Sequence, residues 1–117
     1  MSPNLLMLVA AVVVAYILIS RMRGGGKVAS NIVLEKIKAG ATVVDVRSPD
    51  EYRGGFYPGA VNIPVQELSA RLGEIPRQKP VVLYCASGGR SGAAAQLQKR
   101  AGFAEVLNAG GLGDMPR

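Results

Sequence analysis

The stretch "VVLYCASGGRSG", residues 81–92, decides the fold. Val81 to Tyr84 form a continuous apolar run, which reads as a central strand buried on both faces. The run breaks at the only cysteine of the chain, Cys85, into small and glycine residues. Behind them "SGAAAQLQKRAGF" reads as an alanine-rich helix that begins near Ser91 and ends at Gly102. A strand feeding a tight turn and a helix is the opening of a βα unit, whose strands pair in parallel through right-handed crossovers. Cys85 is then either a small hydrophobe that ends a buried strand or a thiolate held in a cup of backbone amides.

The same alternation extends outward. "SNIVLEKIKAG" has Ile32, Leu34, Ile37 and Ala39 at near-helical spacing, Ser30 or Asn31 to cap it and Gly40 to stop it. "ATVVDVRS" is a β-branched strand, and Pro49, Asp50 and Glu51 behind it suit a helix start. "GAVNIP" reads as a short strand closed by Pro64, "VQELSARLGEI" as a helix with Val65, Leu68 and Leu72 on one face, and "AEVLNAGG" as a last strand. The expected class is α/β, a small parallel central sheet of four or five strands flanked by helices. In such sheets ligands sit at the carboxyl ends of strands, where Cys85 lies.

Ahead of this domain, residues 5–19 carry no charge. With residues 4 and 20 as ends, the apolar stretch is about 17 residues, or roughly 25 Å of helix, enough to span a bilayer. Only "MSPN" precedes it, without the basic residues of a signal peptide, so it reads as one retained N-terminal transmembrane helix. Arg21, Arg23 and Lys27 follow it and no cation precedes it, which orients the rest of the chain to the cytoplasm. The expected layout is a transmembrane anchor at 1–20, a basic Gly-rich linker at 21–27 and a domain at 28–117. The localisation expected is the inner (cytoplasmic) membrane, single-pass, with the bilayer contacted through residues 4–20.

The net charge of +6 is no argument for nucleic acid. The domain from Val28 carries 11 Lys and Arg against 8 Asp and Glu, and the other three cations are the juxtamembrane cluster. No long basic run with interleaved aromatics is present, so no nucleic-acid partner is expected. A single cysteine excludes an intrachain disulfide, and with no histidine in the chain neither a zinc site nor another metal site or cofactor is expected.

At the Cys85 loop the local physics favours an anion. The sulfur lies near a helix amino terminus with unsatisfied N–H groups, Gly88 and Gly89 allow a tight turn that aims amides inward, and Arg90 adds a cation. Such surroundings lower a thiol pKa from about 8.5 by a unit or more.

"VVDVRSPDEYRGGFYPGAVNIP" and "YCASGGRS…AAAQLQKRAGFAEVLNAGG" resemble the signature and active-site loop of the rhodanese domain, over about residues 28–113. The resemblance implies a sulfurtransferase in which Cys85 accepts a sulfane sulfur as a persulfide and passes it to a thiophilic acceptor such as cyanide or a thiol. It implies that the backbone of Ala86, Ser87, Gly88, Gly89 and Arg90 cradles the persulfide, that Arg90 is the cationic contact of a small anionic donor of thiosulfate type, and that Ser91, Asp45 and Arg47 belong to the same pocket. Asp45 and Arg47 read equally well as a structural ion pair. Asp50 and Glu51 read as servants of the helix start. Cysteine phosphatases use C-x5-R, whereas Cys85 to Arg90 is C-x4-R, a cup sized for sulfur. A second functional reading is a membrane-tethered persulfide relay serving a protein partner, with little activity on free thiosulfate; a third is a silent interaction domain, which the intact Cys85 and Arg90 disfavour. The chain departs from the family at Phe56 and Tyr57, where many members have His-Ile, and lacks a tryptophan after the glycine pair, a packing role left to Leu112 or Met115.

Overall fold

In the computed structural model the backbone is described for residues 2–23 and 26–117, and side chains for 2–18 and 26–117. Four strands, β1 (Thr42–Asp45), β2 (Val61–Asn62), β3 (Val81–Cys85) and β4 (Val106–Gly111), form one sheet in the order β2-β1-β3-β4, parallel throughout. The sheet has four strands, the lower of the two numbers expected.

Helices cover both faces, and strand alternation divides the side chains between them. Val44, Val46, Leu83 and Cys85 face Ala94 and Ala95 of α4 (Gly89–Arg100), together with Leu68 and Ile75. Val43, Val82 and Tyr84 face Val33 of α2 (Ser30–Lys38) and Met115. The alanines of α4 let it lie close on β3, which brings its amino terminus under the end of that strand. Met115 is buried in this second cluster and Leu112 packs against it.

Several local expectations are corrected. The helix read over 65–75 is two 3-10 segments, Val65–Ala70 and Leu72–Glu74. They divide at Arg71, whose φ of −119° leaves the helical region, and each closes by a bond from residue i+3 to i, Arg71 N–H to Leu68 O and Ile75 N–H to Leu72 O. Neither Ser30 nor Asn31 caps α2: Ala29 is the N-cap and no side chain serves there. α4 starts at Gly89, two residues before Ser91, because Gly88 takes a φ of 105° and turns the chain early. In α3 (Pro49–Arg53) Ser48 and Glu51 form a reciprocal capping box, with Pro49 in the first turn as read.

The N-terminal segment is helical, α1 (Pro3–Arg23), apolar on all sides through its hydrophobic run, and every described side chain from Ser2 to Leu18 is exposed. Among the described residues no helix is long and apolar enough to cross a membrane. The side chains at 19–25, which include the end of the expected span and most of the linker at 21–27, lie outside the described residues. At its far end Lys27 forms a parallel bridge with Asn108, with Val28 N–H bonded to Asn108 O at 2.8 Å, and Lys27 pairs with Asp114 at 3.0 Å. The chain entering the domain is thus laid along β4.

Gln98 of α4 is fully buried and neither polar atom of its amide has a hydrogen-bond partner.

Candidate active site

Cys85 ends β3 on the face covered by α4, with 1% of its surface exposed. Ala86, Ser87 and Gly88 bend around the sulfur and α4 begins at once. The Gly88 N–H points at Sγ from 2.9 Å, and Ser91 Oγ lies 3.3 Å away. Burial pushes the thiol pKa up, but hydrogen bonds from the Ser91 hydroxyl and from the amides of Ser91, Ser87 and Gly88 outweigh it, so the thiol sits below its ordinary value. Cys85 is therefore both packed and polarised.

Behind the sulfur lies a buried polar network. Ser91 Oγ donates to Asn108 Oδ1 at 2.6 Å, the Gly110 N–H donates to the same oxygen at 2.9 Å, and Asn108 Nδ2 donates to Gly88 O at 3.2 Å. One asparagine on β4 thereby holds two of the groups that address Sγ, the Ser91 hydroxyl and the Gly88 peptide. The pairing of β3 with β4 shifts register between Leu83 and Cys85, at the point where Gly110 adopts a φ of 92°. Gly111, opposite Cys85, lies so close to the loop that a Cβ there would strike the carbonyl of Ala86. The glycine pair at 110–111 thus shapes the back wall of the loop.

Arg90, in the first turn of α4, gives both terminal nitrogens to Glu51, Nη1 to Oε1 at 2.6 Å and Nη2 to Oε2 at 3.0 Å. The Arg90 guanidinium and the Ser48 N–H pull the Glu51 carboxyl down to about 2. Glu51 serves its helix start, as read, and also the arginine of the cup. Asp45 and Arg47 form a separate, buried pair: Arg47 Nη2 reaches Asp45 Oδ2 at 2.6 Å and Gly55 O at 2.6 Å, and the guanidinium lies 5.6 Å from the centre of the Tyr84 ring. Asp45 alternates onto the sheet face of Val43 and Tyr84, opposite that of Cys85.

The positions read from the sequence thus separate into groups. Ala86, Ser87, Gly88 and Gly89 line the loop, and Arg90 stands beside it in an ion pair. Ser91 is fully buried behind the sulfur. Asp45 and Arg47 are bonded to each other under the neighbouring loop. Asn108 and the second role of Glu51 were missed. Asn108 stands before the quoted "AGG" with no motif of its own, and a carboxylate 39 residues from its arginine has no local signal.

The rhodanese-like domain model matches residues 30–112. The chain belongs to the rhodanese-like domain family. It is similar to YqhL of Bacillus subtilis, 36% identical over 111 residues, 92% of this chain and 87% of that protein. It is also similar to the thiosulfate sulfurtransferase PspE of Escherichia coli, 38% identical over 74 residues, 62% of this chain and 71% of that protein. Among solved structures a rhodanese with anions from E. coli superposes with a TM-score of 0.61 at 36% identity, covering 65% of this chain and 94% of that one. The human single-domain sulfurtransferase TSTD1 does so with 0.63 at 27% identity, covering 71% and 88%.

Proposed function

We propose that this rhodanese-like protein is a sulfurtransferase that carries sulfane sulfur as a persulfide on Cys85. The observation that carries the reading is the Gly88 N–H aimed at Cys85 Sγ from 2.9 Å, in a loop that opens onto a helix amino terminus. The Cys85 thiolate attacks the outer sulfur of the donor; a new S–S bond forms, the donor's own bond to that sulfur breaks, and its electron pair leaves with sulfite or a thiolate. The outer sulfur of the persulfide then lies among the amides of Ala86 to Arg90, which stabilise its charge. An acceptor, cyanide or a thiol, attacks that sulfur and restores the thiolate. No proton has to be removed first when the thiol is already ionised, so the mechanism has no need of a histidine. The names of PspE and TSTD1 support the reaction class. A relative named as a putative sulfur carrier protein, YrkF of B. subtilis, supports the second reading, delivery of the persulfide to a protein partner.

We also propose that the chain is held at the inner face of the cytoplasmic membrane by residues 4–20. Support comes from a helix that is apolar on all sides and leaves its described side chains exposed, followed by Arg21, Arg23 and Lys27. The similarity to YqhL covers more than the domain's share of this chain and so runs into that segment.

The test uses the full chain in detergent micelles, following sulfite or thiocyanate release from thiosulfate and the mass of Cys85 after exposure to donor. Turnover lost in Cys85→Ser supports the enzyme, and a stable persulfide without turnover supports the relay. Absence of a persulfide with every donor sinks both. For the anchor, the chain should stay with membranes through an alkaline carbonate wash, and protease added to inside-out vesicles should digest the domain; protection there reverses the orientation.

A further inference from the structure

Both arginines near the loop are already matched one to one by carboxylates. Arg47 is consumed by buried Asp45. Arg90, the cation at the mouth of the cup, is clasped in a two-pronged contact by Glu51. That second pair is only partly covered, with 39% of the Arg90 side chain and 36% of the Glu51 side chain exposed, so an incoming anion meets it in solvent-accessible surroundings. Glu51 is also held from behind, because the same carboxylate accepts the Ser48 N–H and closes the capping box of α3. Arg90 is therefore paired by a group that cannot swing away without giving up the Ser48 N–H and opening the capping box. The loop amides remain as the donors for sulfur, and they stabilise one negative charge well but supply no full counter-charge for a second.

Resting on the sulfur-transfer reading above, we propose that Glu51 is a positioning residue for donor specificity: by neutralising Arg90 it tunes the cup to singly charged sulfane donors, persulfides and thiosulfonates, over dianionic thiosulfate. Methanethiosulfonate isolates the effect, since it offers the same outer sulfur with one charge fewer. The Cys85 thiolate takes that sulfur, the S–S bond to the sulfonyl group breaks, and methanesulfinate leaves with the electron pair. Charge is conserved, as it is when sulfite leaves thiosulfate.

Glu51→Gln removes the charge and keeps the cap, because glutamine serves the same helix position. Freeing one cation acts on each donor in proportion to its charge. In the full chain in micelles at low salt, kcat/KM for thiosulfate should rise about tenfold and for methanethiosulfonate about threefold, so their ratio shifts about threefold toward thiosulfate. The shift should shrink as salt rises. A purely structural role of Glu51 would lower both donors together. A ratio unmoved by Glu51→Gln, or a fall of both donors together, overturns the proposal. If neither donor places sulfur on Cys85 in the wild type, the sulfur-transfer reading falls instead, and the two failures are distinguished by the mass of the cysteine.

Discussion

Ser91→Ala is the substitution that tests the buried network most directly. Ser91 Oγ lies 3.3 Å from Cys85 Sγ and 2.6 Å from Asn108 Oδ1, and no solvent reaches it. Its single proton goes to Asn108 Oδ1 beside the thiol and turns to Sγ beside the thiolate; a hydrogen bond to an ionised acceptor contributes roughly 1.5–3 kcal/mol and the neutral one given up about 1 kcal/mol, so the hydroxyl favours thiolate over thiol by about 1 kcal/mol. Its removal should cut the thiolate population about fivefold at any pH below the midpoint of ionisation. Asn108 Oδ1 keeps the Gly110 N–H at 2.9 Å, so the back wall stays satisfied and the fold should survive. Because Cys85 is the only thiol of the chain, the pH dependence of alkylation by iodoacetamide reads this site alone. The expected result is a profile moved to higher pH, with about a fivefold slower reaction on its acidic side. A profile superposable on that of the wild type would mean that the amides alone set the acidity of Cys85, and the network argument would be wrong.

Other expectations follow from the same contacts. Arg47→Met leaves the buried Asp45 carboxylate uncompensated and should cost about 3–5 kcal/mol in denaturant unfolding, with much of it restored by adding Asp45→Asn; an unchanged midpoint would refute a structural role for the pair. Gly111→Ala drives a methyl group into the Ala86 carbonyl and should cost about 1–3 kcal/mol while slowing Cys85 alkylation; wild-type behaviour in both would show that the loop has room to move. Gln98→Met replaces a buried amide without partners by an apolar chain of similar length and should stabilise by about 1 kcal/mol, whereas a loss would point to hydrogen bonds the amide makes in solution. Glu51 has a depressed carboxyl, about 2 in the fold against 4.5 for the free group. Its contribution to stability is thus complete above 4.5 and lost as pH falls toward 2. The thermal midpoints of wild type and Glu51→Gln should converge across that window, and a constant gap would show that the pair does not titrate there.

The strand, loop and helix around Cys85 were legible because they are local. An apolar run, a pair of glycines and an alanine-rich stretch act within a few residues of one another, and so did the capping signals at Ser48, Pro49 and Glu51. The segment at 65–75 was misread because its apolar spacing fits either kind of helix, and the break at Arg71 has no marker in residue type. The start of α4 was read two residues late for a similar reason: the positive φ falls on Gly88, while either glycine of the pair could have taken it.

By itself the sequence determined that a parallel α/β sheet would carry a lone cysteine to the mouth of a strand, before a helix amino terminus, because hydrophobic periodicity and turn chemistry are properties of neighbouring residues. Which groups surround that cysteine was decided only in three dimensions. Sheet alternation sent Asp45 and Arg47 to the far face, the pairing of β3 with β4 brought Asn108 behind the sulfur, and the approach of α3 to α4 joined Glu51 to Arg90. Each of these contacts spans strands or helices far apart in the chain, so no local pattern could hold it.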